Sequence, residues 1–269
     1  MLGGAGPPSS TIPQALEGNW VSAVSLTRRM PPKFIDRTIA GIQHLCPRLR
    51  VELLTRVDRR LGICFDPEAR KYFVACGYNQ HGSAFRSPWS NTYIEKDSAG
   101  PAAPRRFKPA DNLRHLESAY NQIFDAYRHT YYEGGVSSVY LWSLPSEDGF
   151  AAAFVLRHAL DGGASGDGPR GCWESTHVAE VTQSISNVYY RLTSTVILSV
   201  KPPRGSNAHF YGGAMMTRTS EQSQKAEINA SPDSPPHIGV IGPMIETMEE
   251  SMRTALERCY FAKAFAVSF

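Results

Sequence analysis

Five strand-like runs follow one another between residues 136 and 219, and no helical pattern separates them. They cover 136–144, 149–159, 171–184, 187–200 and 208–219. Each run is bounded by Gly, Pro, Ser or Asp, which are the usual turn residues. Parallel neighbours would need helical crossovers, which the short gaps do not provide. We therefore expect one antiparallel sheet of five strands.

Two helical patterns flank this sheet in the sequence. Apolar residues recur every three or four positions from Leu113 to Tyr131, with Asp111 as a candidate N-cap and Gly134 and Gly135 as a helix stop. A second amphipathic stripe occupies the last segment. Its members are Ile241, Met244, Ile245, Met248, Met252, Leu256, Cys259 and Tyr260. The predicted fold class is α+β, with a long C-terminal helix packed on the sheet.

Breaks in composition predict the domain layout. Residues 1–14 are rich in Gly, Pro and Ser and are predicted to be disordered. Three short helical patterns, each cut by proline, predict a three-helix stalk over 15–58. The remaining predicted regions are a small β/turn region with a linker at 59–110, a helix plus the antiparallel sheet at 111–219, a polar loop at 220–234 and the long helix at 235–269.

Charge and composition exclude several classes of protein. A net charge of +3 over 269 residues is too small to indicate nucleic-acid binding without a local basic patch. The longest apolar run, FAAAFVL at 150–156, is far shorter than a membrane span. Five widely spaced cysteines without a CxxC pair favour free thiols in the cytosol. We expect neither nucleic acid nor a membrane span.

The motifs that would suggest an enzyme or a cofactor are weak. GDGPRG at 166–171 has the form GxGxxG, but strand-like alternation follows it where dinucleotide binding needs a helix. Cys172, Glu174 and His177 could be read as a thiol, an acid and a base. On a strand, however, positions 172 and 177 face opposite sides of the sheet. The eight histidines show no metal-ligand spacing. No enzymatic activity and no cofactor are predicted.

Two charged segments leave a choice open. Five arginines within 48–60 fit a solvated helix face, or a patch for a membrane surface or nucleic acid. In the last helix, six charged residues lie off the apolar stripe: Glu246, Glu249, Glu250, Arg253, Glu257 and Lys263. Arg253 is spaced for exposed ion pairs with Glu249 and Glu257, and the alternative is a basic contact for an acidic partner surface.

Several uncommon stretches together resemble one family, the β subunit of the F-actin capping protein. They are LTRRMPP (26–32), FRSPWSNTY (85–93), YYEGGVSSVYLW (131–142), GCWESTHVAEV (171–181), YRLTSTVILSV (190–200) and ERCYFAK (257–263). They keep the family's order and extend over nearly the whole chain. RSPWSN and EGGVSSVYLW are the most specific of them.

The resemblance implies an obligate heterodimer with a similarly folded capping protein α subunit, in which two sheets join and long helices cross above them. It also implies binding to actin filament barbed ends that needs no Ca²⁺, nucleotide or metal and blocks monomer exchange. The cytoplasmic cytoskeleton is the implied location. A second possibility is an end-cap subunit of an actin-related filament, as in the dynactin complex.

Four site residues are carried over from the resemblance. Arg253 and Lys263 fall in the family's actin-facing helix and are expected to bind actin. Arg29 and Asp58 fall where regulators with a capping-interaction motif wrap the stalk.

The sequence also departs from the family's pattern in three places. The chain stops at AKAFAVSF, where family members continue into a mobile amphipathic tentacle that binds actin. Gly239 and Pro243 suggest that the last helix begins later than in relatives. The third stalk helix is more basic than usual, which suggests altered regulator binding.

Overall fold

A computed structural model describes residues 35–45, 60–81, 83–95, 109, 111–144, 149–161, 170–201, 214–225 and 235–266. The chain divides into two compact units, one of residues 1–30 and 34–57 and the other of residues 31–33 and 58–269. In the first unit, helix α1 covers Ile35–Leu45, as its apolar spacing predicts. The other two predicted stalk helices lie outside the described residues.

The second unit is built on a five-strand antiparallel sheet. Its strands are β6 (Val136–Ser143), β7 (Gly149–Asp161), β8 (Arg170–Gln183), β9 (Asn187–Lys201) and β10 (Ala214–Lys225). They lie in the order β10-β9-β8-β7-β6, so every pairing joins strands that are consecutive in the chain. The predicted α+β class with an antiparallel five-strand sheet is confirmed.

Two helices cover one face of the sheet. Helix α2 (Asp111–Tyr131) packs on β6, and helix α3 (Ile238–Ala266) packs on β9 and β10. Beneath them lies the main apolar core, to which α2 contributes Tyr120 and Phe124 and α3 contributes Ile241, Ile245 and Met252. The predicted long C-terminal helix on the sheet is thus confirmed.

A small β region covers part of the opposite face. It contains the hairpin β1 (Gly62–Asp66) and β2 (Lys71–Ala75), and the three-strand sheet β3 (Gln80–His81), β4 (Ala84–Arg86) and β5 (Tyr93–Glu95). Leu61, Val74 and Cys76 pack on Tyr140 and Val155 of the large sheet. The middle of β6 and β7 is therefore buried on both faces, which explains their continuous apolar runs.

At two positions the backbone conformation or the space available favours glycine over other residues. Gly134 adopts φ +76° just after α2, and Gly135 N–H donates to the Tyr132 carbonyl at 2.9 Å, so the predicted helix stop is the observed one. At the start of β7, a Cβ on Gly149 would lie 2.4 Å from the Val181 carbonyl oxygen. This close approach of two backbones requires glycine.

The RSPWSN stretch is structural. The guanidinium of Arg86 is buried and binds both carboxylate oxygens of Glu117 on α2, each at 2.8 Å. Ser87 donates to Asp66 at the end of β1, and Ser90 Oγ donates to the same carboxylate at 2.7 Å. The segment therefore ties the small β region to α2 by charge-assisted hydrogen bonds.

The end of the last strand differs from the sequence prediction. The last strand runs to Lys225, so 220–225 is not part of a polar loop. Residues 221–225 are exposed at a sheet edge, where pairing with β9 rather than apolar burial holds the strand. Residues 208–213 of the predicted strand lie outside the described residues.

Helix α3 starts at Ile238 and contains both Gly239 and Pro243, so the helix begins before these two residues and continues through them. Pro243 removes a hydrogen bond to the Gly239 carbonyl, but Gly239 is exposed and water can replace that donor. Burial of Ile241 and Ile245 on either side of the proline holds the helix on the sheet.

Candidate functional site

A buried carboxylate lies at the centre of the contact between α3 and the sheet. Glu249 of α3 has no exposed side-chain surface. Its Oε1 accepts hydrogen bonds from Ser175 Oγ at 2.8 Å and from His177 Nε2 at 2.9 Å, both on β8. These bonds tie the middle of α3 to the middle of the sheet.

The second carboxylate oxygen joins α3 to the end of α2. Oε2 of Glu249 accepts from the hydroxyls of Tyr127 at 2.6 Å and Tyr132 at 2.8 Å. Arg253, one turn further along α3, donates from Nη1 to the same oxygen at 3.3 Å and to the Tyr132 hydroxyl at 2.7 Å. We call the residues Tyr127, Tyr132, Ser175, His177, Ser194, Glu249 and Arg253 the Glu249 network.

The hydrogen-bond roles in the Glu249 network follow from its chemistry. An ionised carboxylate only accepts, so Nε2 of His177 must carry the proton of that bond. On the other side of the ring, Nδ1 lies 2.7 Å from Ser194 Oγ, and Ser194 is directly opposite His177 in the β8–β9 register. His177 is therefore fixed at both nitrogens, and it links α3 to two strands.

The electrostatics favour an ionised Glu249. Burial alone would raise the pKa of the Glu249 carboxyl, but the hydrogen bond and charge of His177 and the hydrogen bonds from Tyr127 and Ser175 lower it to about 2. Burial, and then the Glu249 carboxylate, raise the pKa of Tyr127 and Tyr132 far above the ordinary range. At neutral pH the carboxylate is charged and both phenols are neutral.

Arg253 lies where the buried network reaches the surface. Its side chain is 38% exposed, and its guanidinium carbon is 5.9 Å from the centre of the Tyr132 ring. The predicted ion pair of Arg253 with Glu249 is present, but its predicted exposure is wrong, because Glu249 is fully buried. The spacing contains the reason: Glu249 is four residues after Ile245 and three before Met252, which places it within the apolar stripe. Arg253 lies at the stripe's border.

The structure does not describe the side chains of the other three predicted site residues. Lys263 lies in α3, and its side chain is outside the described residues, as are Arg29 and Asp58. Cys172, Glu174 and His177 do not form one site. Glu174 binds Arg60 at 3.2 Å and Arg157 at 3.3 Å, whereas His177 binds Glu249. Of the glycine-rich stretch, 166–169 is outside the described residues.

The described part of the chain offers neither a grouped set of metal ligands nor a membrane-spanning helix. Within it, no three His, Cys, Asp or Glu side chains are grouped so that they could hold a metal ion. No helix there has the length and apolar character needed to cross a membrane.

The two edges of the large sheet present different surfaces. At the β6 edge, Asn121 of α2 bonds both the N–H and the C=O of Val139 at 2.8 Å, and Glu117 accepts from Leu141 N–H at 2.9 Å. At the other edge, β10 pairs only with β9 among the described residues. A groove between β10 and α3 is lined by 218–222 and by α3 residues that include Met244 and Thr247.

Comparisons with known proteins agree with this architecture. The model of the family "F-actin capping protein, beta subunit" matches residues 20–267. The F-actin-capping protein subunit beta of Drosophila melanogaster is 41% identical over 244 residues, which cover 90% of this chain and 82% of that protein. The Dictyostelium discoideum subunit beta is 36% identical over 242 residues, covering 89% and 84%.

A solved structure shares the fold. It is the homodimeric actin capping protein alpha subunit from Plasmodium berghei, with a TM-score of 0.52, 12% identity and 94% of each chain covered. The family is one of actin-binding, filament-capping subunits and not of enzymes. Because the family model spans most of the chain and relatives above 30% identity cover nine-tenths of it, the chain belongs to the F-actin capping protein β subunit family.

Proposed function

We propose that this chain pairs with a capping protein α subunit and that the heterodimer binds barbed ends of actin filaments, blocks monomer exchange and does so without Ca²⁺. The observation that carries the proposal is the family match over residues 20–267. The likeness to an α subunit supports it further, because two chains of one fold can join about a pseudo-twofold axis. The proposed location is the cytoplasm, at filament ends.

The open edge of the sheet supports the proposed partnership. An unpaired edge strand presents N–H and C=O groups that can pair with a strand from another chain. On β10, the residues 221–225 are all exposed, and the neighbouring groove offers Met244 and Met248 of α3 beside polar residues. We assign this face, β10 together with the groove side of α3, to the α subunit.

The exposed side of α3 is the proposed actin-binding surface. Arg253 keeps its positive charge. Burial would lower the pKa of its guanidinium, but Tyr132, Tyr127 and Glu249 together outweigh burial and raise that pKa. We propose that Arg253 and Lys263 contact an acidic surface at the filament end, where opposite charges speed association. Arg29 and Asp58 remain the proposed contacts for regulators with a capping-interaction motif.

The first experiment tests partnership. The chain is co-expressed with a capping protein α subunit, and a tag on one subunit is used to purify the pair. Thr247→Arg places a long cation in the groove and should abolish co-purification. Thr254→Arg is the matched control, because Thr254 is an exposed threonine of the same helix that does not line the groove. Co-purification of the Thr247→Arg chain at the wild-type level would contradict the assigned interface.

The second experiment tests capping. Elongation of pyrene-labelled actin from filament seeds is followed with the purified heterodimer, in excess EGTA and again with Ca²⁺. We expect equal slowing of barbed-end growth in both buffers. Growth that continues at the control rate at micromolar heterodimer would refute the proposed function, and slowing in only one buffer would refute Ca²⁺ independence.

A further inference from the structure

Arg253 differs from an ordinary surface arginine in how its side chain is held. A free arginine has many rotamers, and a binding partner must order them at a cost in entropy. Here Nη1 donates at 2.7 Å to the Tyr132 hydroxyl and at 3.3 Å to Glu249 Oε2. Both bonds use one nitrogen on the inner side of the guanidinium, while 38% of the side chain is exposed.

Tyr132 is itself rigid. Its side chain is 7% exposed, and its ring stacks on Trp173 with centroids 6.1 Å apart. The ring of His158 lies 5.9 Å away on another side. The hydroxyl donates to Glu249 at 2.8 Å and accepts from Arg253, so one oxygen uses both of its roles. Helix α2 ends at Tyr131 and the turn at Gly134 follows, which fixes the Tyr132 backbone.

Glu249 holds the Arg253 guanidinium from its buried side. Its carboxylate is held by Ser175 and His177 of the sheet, and His177 is held by Ser194. A continuous series of hydrogen bonds therefore runs from β9 through β8 and α3 to the exposed guanidinium. No step of this series depends on a solvent-exposed side chain before Arg253 is reached.

We infer that Tyr132 and Glu249 are positioning residues that hold the Arg253 guanidinium in the orientation in which it meets an acidic surface at the filament end. This inference rests on the proposed capping function. The network restricts Arg253 before binding occurs, so encounter with the filament needs less reordering. Tyr132 and Glu249 act through Arg253 and do not touch actin themselves.

A double-mutant cycle on the heterodimer tests the inference. Capping association rates are measured by seeded elongation for wild type, Tyr132→Phe, Arg253→Ala and the double variant. We expect Arg253→Ala to slow capping by about tenfold and Tyr132→Phe by about fivefold. The double variant should match Arg253→Ala alone, because the hydroxyl has no route to actin without Arg253.

Tyr120→Phe is the matched control. Tyr120 is a buried tyrosine of α2, and its hydroxyl donates to the Pro236 carbonyl just before α3, at 2.5 Å. Tyr120→Phe removes one hydroxyl hydrogen bond between α2 and the start of α3, away from Arg253, whereas Tyr132→Phe removes two bonds to charged groups. We expect Tyr120→Phe to lower the melting temperature by no more than Tyr132→Phe does and to leave the capping rate unchanged.

Arg253→Lys provides a test in which the buried side chains themselves are not mutated. Lysine keeps the charge but cannot present a planar guanidinium bound on one side and exposed on the other. We expect it to cap more slowly than wild type, by a factor close to that of Tyr132→Phe. A lysine variant that caps at the wild-type rate would overturn the inference.

The remaining outcomes separate the inference from the proposed function. If wild type caps but Tyr132→Phe caps equally fast, or if Tyr132→Phe costs the same factor in the Arg253→Ala background, the positioning role is wrong and capping stands. If Arg253→Ala caps at the wild-type rate, Arg253 is not a contact and the inference fails. If the wild-type heterodimer does not cap, both the function and the inference fail.

Discussion

The two edge strands of the large sheet differ in what bonds their outer backbone groups. At β6, side chains of α2 take the place of a neighbouring strand: Asn121 bonds the Val139 backbone, and Glu117 bonds Leu141 N–H. At β10, the outer edge has no such partner among the described residues, and its last five residues are exposed and polar. The chain thus closes one edge internally and leaves the other suited to a second subunit.

The largest effect is expected at the closed edge, from Glu117→Ala. This change leaves the buried Arg86 guanidinium without its carboxylate and Leu141 N–H without an acceptor. Breaking a buried ion pair on one side costs about 3–5 kcal/mol. The denaturant midpoint of the heterodimer should fall accordingly, with Glu95→Ala on exposed β5 as control. An unchanged midpoint would mean that the bonds of Glu117 with Arg86 and Leu141 do not stabilise this edge of the sheet.

The second-largest effect on stability is expected at Glu249, which joins α3 to the central strand β8. Its folded pKa of about 2 lies below the unfolded value of about 4.5, so its contribution is present above pH 4.5 and is lost as pH falls toward 2. The full contribution is about 3 kcal/mol.

Acid unfolding of the heterodimer, followed by circular dichroism from pH 6 to 2, checks this contribution. Glu249→Gln should be less stable than wild type at pH 6, and the difference should shrink toward pH 2. A difference that stays constant over this range would show that Glu249 does not titrate as argued.

A smaller effect at the closed edge is expected from Asn121→Leu. The leucine keeps the approximate shape of asparagine but leaves the N–H and C=O of Val139 without partners. The loss should be about 2 kcal/mol, and the melting temperature of the heterodimer measures it. Equal stability of Asn121→Leu and wild type would contradict this role of Asn121.

The smallest effect is expected at the open edge, from Gln224→Thr. Gln224 pairs with Val188 by its backbone, and its side chain is exposed. Surface changes of this kind alter stability by less than about 0.5 kcal/mol. A loss above 1 kcal/mol in the heterodimer would show that the end of β10 is packed against its partner rather than merely paired.

Local signals in the sequence predicted much of the fold. Four strands are found within two residues of the predicted limits, and α2 begins at Asp111 as expected. The predicted end of β10 is six residues too early, because the polar second half of the strand is held by β9 and not by its own composition. Tertiary pairing of this kind leaves little trace in a single segment.

The site was predictable only in part. The resemblance pointed to Arg253, but apart from the contact between Arg253 and Glu249 themselves, their partners lie more than 70 residues away, which no local spacing reveals. The burial of Glu249 had a signal, since its position falls between Ile245 and Met252 on the helix. The preference for exposed charges outweighed that signal, and a buried carboxylate needs partners that sequence alone does not identify.

The strand order has a consequence for how the chain folds. Every strand of the large sheet pairs with its neighbour in sequence, so each pairing closes a short loop. Short-range pairings have a low entropic barrier, and a sheet of this kind can grow one hairpin at a time from β6 towards β10. During synthesis, α2 and β6 leave the ribosome before β10 and α3. The edge that is closed within the chain can therefore be protected first, and the edge left for the partner is completed last.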